Sequence, residues 1–80
     1  MKIKVIAFGI AKDFFGADVI ESELYDGASV GTLRNLLEQK YPRLGELSTY
    51  MIAVNNEYAE PNLVLSGNDE VAIIPPVSGG

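Results

Sequence analysis

The sequence predicts an α+β domain: one mixed sheet, a single main helix packed on one face, and a C-terminal Gly-Gly tail protruding from the sheet's end. Three observations lead there. Lys2 to Phe8 and Val19 to Leu24 alternate with period two, while Tyr50 to Val54 and Val71 to Ile74 are short apolar runs rich in strand formers. Val30 to Tyr41 repeats instead at helical spacing. The chain then reads Pro75-Pro76-Val77-Ser78-Gly79-Gly80, in which the prolines lack the N–H groups that would continue a ladder.

In the first strand Ile3, Val5 and Ala7 share one face, and Lys2, Lys4, Ile6 and Phe8 share the other. Because Ile6 and Phe8 are large and apolar, that second face is either buried, as in a central strand, or leaves apolar surface for a partner. Phe14-Phe15-Gly16 predicts a short helical or irregular turn that tucks an aromatic under the sheet. In the second strand Ile20 and Leu24 face one way, and Glu21 and Glu23 the other, as solvated charges rather than a catalytic pair.

Asp26-Gly27 is a turn, and Ser29 is the expected N-cap of the helix. Val30, Leu33, Leu36, Leu37 and Tyr41 line its apolar face, with Arg34, Asn35, Glu38 and Gln39 away from it. Pro42 ends the helix at Tyr41 or just before. Arg43 to Thr49 is expected as a connector in which Leu44 and Leu47 close the edge of the core. Asn55-Asn56 then turns the third strand into a short return strand at Glu57-Tyr58, because Asn tolerates positive φ. Pro61 to Leu65 is irregular, and Ser66-Gly67-Asn68-Asp69 turns into the last strand. The order strand, strand, helix, strand, short strand, strand fits the ubiquitin-like β-grasp, in which the first and last strands pair in parallel at the sheet's centre. The domain is expected over residues 1–76, with 77–80 as a flexible tail.

Composition narrows the function. Eighty residues make one domain that buries about 60% of its unfolded surface, too small a core for a deep enzyme cleft. Six basic against eleven acidic residues leave a net charge of −5, which disfavours nucleic acid and favours partners with basic surfaces. With no Cys and no His, thiol nucleophiles, imidazole bases and the usual zinc ligands are all missing, so no metal site is expected. No stretch approaches 18 apolar residues, and the apolar run after Lys4 reads as a strand rather than a signal peptide. The expectation is a cytoplasmic protein without a membrane span.

Covalent chemistry would then fall to the tail. Prolines stiffen its base, and Gly79 and Gly80 are slender enough to enter another protein's pocket. Four residues beyond the diproline reach roughly 13 Å when extended. Ser78-Gly79-Gly80 as inert frayed polymer is the plain alternative.

Ile73-Ile74-Pro75-Pro76-Val77-Ser78-Gly79-Gly80, with Asp69-Glu70-Val71-Ala72 and Ala53-Val54-Asn55 before it, resembles the MoaD family, the small sulfur-carrier subunit of molybdopterin synthase. Ile3-Lys4-Val5, Val30-Gly31-Thr32-Leu33 and Lys40-Tyr41-Pro42 extend the likeness along the chain. The resemblance implies that a MoeB-like, ATP-dependent activating enzyme adenylates the Gly80 carboxylate and a sulfur donor protein converts it to a thiocarboxylate. A MoaE-like large subunit would accept the tail, hold the catalytic side chains, and use the sulfur to build the dithiolene of molybdopterin within a heterotetramer. On this reading the chain binds no cofactor beyond the transient acyl-adenylate or thiocarboxylate on Gly80. By position, the resemblance makes Phe8, Tyr58 and Ile74 the partner-binding residues, beside the tail residues Pro75, Pro76, Val77, Ser78 and Gly79. Two departures stand out. Asn68 replaces a glycine usual in relatives, where Asn accommodates the same left-handed turn. Lys12 and Ile74 stand where many relatives carry Arg and an aromatic. A tungstopterin or thiazole carrier, a protein-conjugating modifier and a plain interaction domain are the alternatives.

Overall fold

Lys2–Ala7 (β1) and Glu70–Ile74 (β5) lie side by side and parallel within a five-stranded sheet. The computed structural model describes residues 1–47 and 49–76, so the expectations for Val77, Ser78, Gly79 and Gly80 lie outside the described residues. Between β1 and β5 come Ala11–Phe15 (α1), Val19–Glu23 (β2), Val30–Lys40 (α2), Pro42–Gly45 (α3), Met51–Val54 (β3) and Glu57–Tyr58 (β4). The strand order is β2-β1-β5-β3-β4, with every pairing antiparallel except β1 with β5.

Strand alternation decides what the sheet buries. Ile3 and Val5 of β1, Val71 and Ile73 of β5, and Ile52 of β3 point to one face, where they meet Leu33 and Leu37 of α2. Each such side chain withdrawn from water contributes on the order of 1.5–3 kcal/mol. The α2 crossover is what permits β1 and β5 to run parallel. At its start the Ser29 hydroxyl accepts from the Thr32 N–H at 3.2 Å, as expected of an N-cap.

The helix ends at Lys40, just before Tyr41 as expected, because Tyr41 leaves the helical region ahead of Pro42 (φ −127°, ψ 82°). The segment after it is not a plain connector: Pro42 opens the one-turn helix α3, which seats Leu44 fully in the core. Phe15 is the tucked aromatic, its ring centroid 4.7 Å from that of Tyr41. β3 begins at Met51 rather than Tyr50, and β5 begins at Glu70 rather than Val71.

One local expectation is overturned. Among the described residues the non-glycine positions with positive φ are Asn55 and Asn56, so Asn68 does not form a left-handed turn. The Asp69 carboxylate closes that turn by accepting the Ser66 N–H at 2.8 Å, which removes the need for positive φ. No helix among the described residues is long and apolar enough to cross a membrane.

Candidate docking surface at the base of the tail

The sheet face turned away from α2 is divided lengthwise by the strand register. At one end Lys2 stands opposite Glu23, and Lys4 stands between Glu21 and Glu70. At the other end Ile6 stands between Val19 and Ala72, Ala72 opposite Ala53, Ala53 opposite Tyr58, and Ile74 opposite Met51. The first half is charged and the second apolar. The apolar half lies where β5 gives way to Pro75 and Pro76, so the diproline leaves from the interior of the sheet, as predicted.

Phe8 follows the last residue of β1, yet its N–H still donates to the Ile73 carbonyl at 3.2 Å. That bond carries the alternation one step further and leaves the ring on the outer face, 47% exposed. Tyr58 is 68% exposed, and Phe8, Tyr58 and Ile74 together border one shallow depression of about 290 Å³. The choice left open for Phe8 is thereby resolved toward exposure. Ala53 and Ala72 form the floor, and their small side chains are what leave a hollow between the larger ones. Sequence reasoning missed both, because an alanine gives no signal until the register of β3 with β5 is known.

Tyr58 owes its position to the turn before it. Asn55 and Asn56 take φ of 53° and 72°, the paired left-handed geometry that closes a tight hairpin. The Asn55 side chain then fastens that hairpin to the neighbouring turn: its amide donates to Asp69 at 2.9 Å and its carbonyl accepts the Glu70 N–H at 3.0 Å. The Ser66 N–H, followed by the Asn55 amide, holds the Asp69 carboxyl below its ordinary range.

On the helix side, Tyr50, just before β3, reaches to α2. Its hydroxyl donates to the Glu38 carboxylate, and Arg34 Nε donates to both, at 3.2 Å to Glu38 and 3.1 Å to Tyr50. Burial, then the bond to Glu38, pushes the Tyr50 hydroxyl up to about 12. The same bond, seconded by Arg34, holds Glu38 below the usual carboxylate range. This cluster braces the fold on the face opposite the apolar patch.

The patch therefore offers area and shape. Its polar side chains, Asn56, Glu70 and the Tyr58 hydroxyl, stand at the rim of the hollow. What the geometry supplies is an exposed apolar surface directly beside the diproline.

Taken together, the sheet order, the single crossing helix and the exposed apolar half-face define a ubiquitin-like β-grasp protein with one apolar sheet face left open. The chain belongs to the ThiS family, whose model matches residues 5–80, and to its MoaD-type branch. It is 39% identical, over all of this chain and 99% of the relative, to the molybdopterin synthase sulfur carrier subunit of Mycobacterium tuberculosis. Its structure is similar, at a TM-score of 0.89 and 29% identity, to a Pyrococcus furiosus protein described as molybdopterin converting factor subunit 1, covering 96% of this chain and 99% of that one. A chain from the Helicobacter pylori complex of subunits 1 and 2 of molybdopterin-converting factor matches over the full length of both at 26% identity and a TM-score of 0.73.

Proposed function

We propose that this chain is the sulfur carrier of a molybdopterin synthase, with the Gly80 carboxylate as its reacting group. The observation that supports this most is the exit of Pro75-Pro76 from the central strand β5, directly beside the apolar half-face bordered by Phe8, Tyr58 and Ile74. A carrier needs both: an arm to deliver a group and a surface to hold the receiver in register.

A carboxylate resists substitution until one oxygen becomes part of a good leaving group. In the proposed cycle a Gly80 oxygen attacks the α-phosphorus of ATP on an activating enzyme, releasing pyrophosphate. Sulfide delivered by a donor protein then adds at the acyl carbon, and AMP departs with the bonding electron pair. The resulting thiocarboxylate sulfur is a nucleophile that needs no cysteine. A large subunit docked on Phe8, Tyr58 and Ile74 takes the tail into its own active site, where it supplies the acid and base groups. Each charged carrier delivers one sulfur, so the two sulfurs of a dithiolene consume two carriers in turn, and a cytoplasmic site gives access to ATP.

The test is an incubation with ATP, an activating enzyme and a sulfur donor, followed by intact-mass measurement. Exchange of one oxygen for one sulfur, confined to the Gly80 carboxyl, is the expected result. An unchanged mass with an enzyme active on another carrier would remove the proposal, and Gly80 joined to lysines of other proteins would redirect it to protein modification.

A further inference from the structure

The two edges of the sheet differ. At one edge β4 is two residues long and Pro61 soon follows it; at the other, β2 runs five residues with β1 on its inner side and, among the described residues, no strand on its outer side. We infer that the outer edge of β2 accepts an extended, basic segment of another protein as an added antiparallel strand. Such a contact makes no use of the tail and is independent of whether Gly80 carries sulfur.

The backbone supplies the row of bonds. At the two ends of the β1–β2 ladder the Ala7 N–H donates to the Asp18 carbonyl at 2.8 Å, and the Leu24 N–H donates to the Met1 carbonyl at 2.8 Å. Antiparallel bonding recurs at every second residue, so Ile20 and Ser22, opposite Val5 and Ile3, also turn their N–H and C=O toward β1. Val19, Glu21 and Glu23 therefore turn theirs outward. Their donors and acceptors have the spacing that an incoming antiparallel strand needs.

Charge selects the occupant. Residues 18–26 hold Asp18, Glu21, Glu23 and Asp26 but no Lys or Arg. Asp18 lies 3.8 Å from Lys12, and Glu23 lies 3.5 Å from the Met1 ammonium. Lys2 and Lys4 stand across the ladder from Glu23 and Glu21, yet among the described residues they form no ion pair with them. Acidic side chains on an open edge discourage indiscriminate pairing, and full overlap of two β2 edges would set Glu21 against Glu21. A second copy is thus repelled where Lys or Arg is attracted.

Alternation sets the pattern of the incoming strand. Read from its own N-terminus, its residues fall opposite Glu23, Ser22, Glu21, Ile20 and Val19. Basic residues suit the first and third places. A small one suits the second, because Ser22 is buried, and apolar ones suit the last two, beside half-buried Ile20 and 45% exposed Val19. Water already satisfies the exposed backbone groups, so each new ladder bond adds little net and the charge pairs supply the selectivity.

The experiment titrates a blocked synthetic peptide, Thr-Lys-Thr-Lys-Val-Val-Thr, into the full chain and follows it by NMR. At saturation, amide exchange at Val19, Glu21 and Glu23 should slow by at least about tenfold, while Ile20 and Ser22, already bonded to β1, change less. Glu21→Gln combined with Glu23→Gln keeps the side-chain shape and should weaken binding at least about threefold, with a melting temperature near that of the wild type. The same peptide N-methylated at both lysines keeps its charge but loses two ladder donors, and it should fail to bind. Equal binding by the methylated peptide would overturn the inference, leaving charge attraction alone. Unslowed exchange at the three amides would overturn it as well. Protection of those amides in the chain by itself, growing with its concentration, would replace the basic strand with a second copy.

Discussion

The Tyr50 hydroxyl donates a hydrogen bond to the Glu38 carboxylate and so ties the segment entering β3 to α2. Arg34 lies over the Tyr50 ring, its guanidinium carbon 4.7 Å from the centroid, and shares both oxygens. Burial raises the hydroxyl from 10.0 to about 12, so the folded state retains a proton that the unfolded chain releases. Stability from this source is complete below pH 10 and is lost as pH climbs toward 12. Glu38 behaves oppositely: its lowered value gives stability that is present above 4.5 and lost as pH falls through the folded value. Tyr50→Phe keeps the ring under Arg34 and should cost about 1–2 kcal/mol in urea unfolding at neutral pH. Its alkaline slope between pH 10 and 12 should flatten relative to wild type; an unchanged slope would assign the titration to another group.

Phe8 and Tyr58 are exposed, so truncating either should leave the fold alone while weakening the partner. Phe8→Ala and Tyr58→Ala should each reduce affinity for the large subunit by about 1–2 kcal/mol or more, as for aromatic anchors in other interfaces. Their melting temperatures should stay near that of the wild type. A matched loss of melting temperature for Phe8→Ala would make it a core residue instead.

One residue added after Gly80, or removal of Gly80, should abolish sulfur transfer without changing the unfolding curve. In the proposed cycle the tail places one acyl carbon, and a displacement of a residue moves it by about 3.5 Å. Restored pterin synthesis by the extended chain would contradict a role for the Gly80 carboxyl.

Asn55 holds a left-handed turn and two side-chain bonds at once, so Asn55→Ala loses both. The expected cost is about 1–3 kcal/mol, from the positive φ and the lost bonds to Asp69 and Glu70. Asn56→Gly, at φ 72°, should be neutral or stabilising, which separates the turn's geometry from the Asn55 network. Chemical denaturation of the two variants side by side gives the comparison.

The strands, the main helix and the central β1–β5 pairing were legible because each rests on a periodicity or on the chirality-free logic of a helical crossover. Phe8, Tyr58 and Ile74 could be named in advance through the family likeness, and the structure sets them around one hollow. Other features needed coordinates. α3 is a single turn behind Pro42 and carries no period to read. Ala53 and Ala72 matter only as absent volume. Arg34 and Glu38 read as outward polar residues, yet their position over β3 lets Tyr50 recruit them. Ile10, in a short turn between β1 and α1, follows no pattern, and its place beside Pro75 and Leu47 shows only in the structure. The expected left-handed Asn68 failed because Asp69 closes that turn with its side chain.

The parallel pairing of β1 with β5 has a mechanical consequence. Met1 and Pro76 lie at opposite ends of adjacent strands, so tension applied between them shears the pair and loads its whole ladder simultaneously. Tension between Met1 and Leu24, which meet at the same end of the β1–β2 pair, would peel rungs apart one after another. Single-molecule stretching should record a higher rupture force for the first geometry than for the second. In the proposed cycle, a partner drawing on the chain beyond Pro76 against Met1 would therefore load this pair in shear rather than rung by rung.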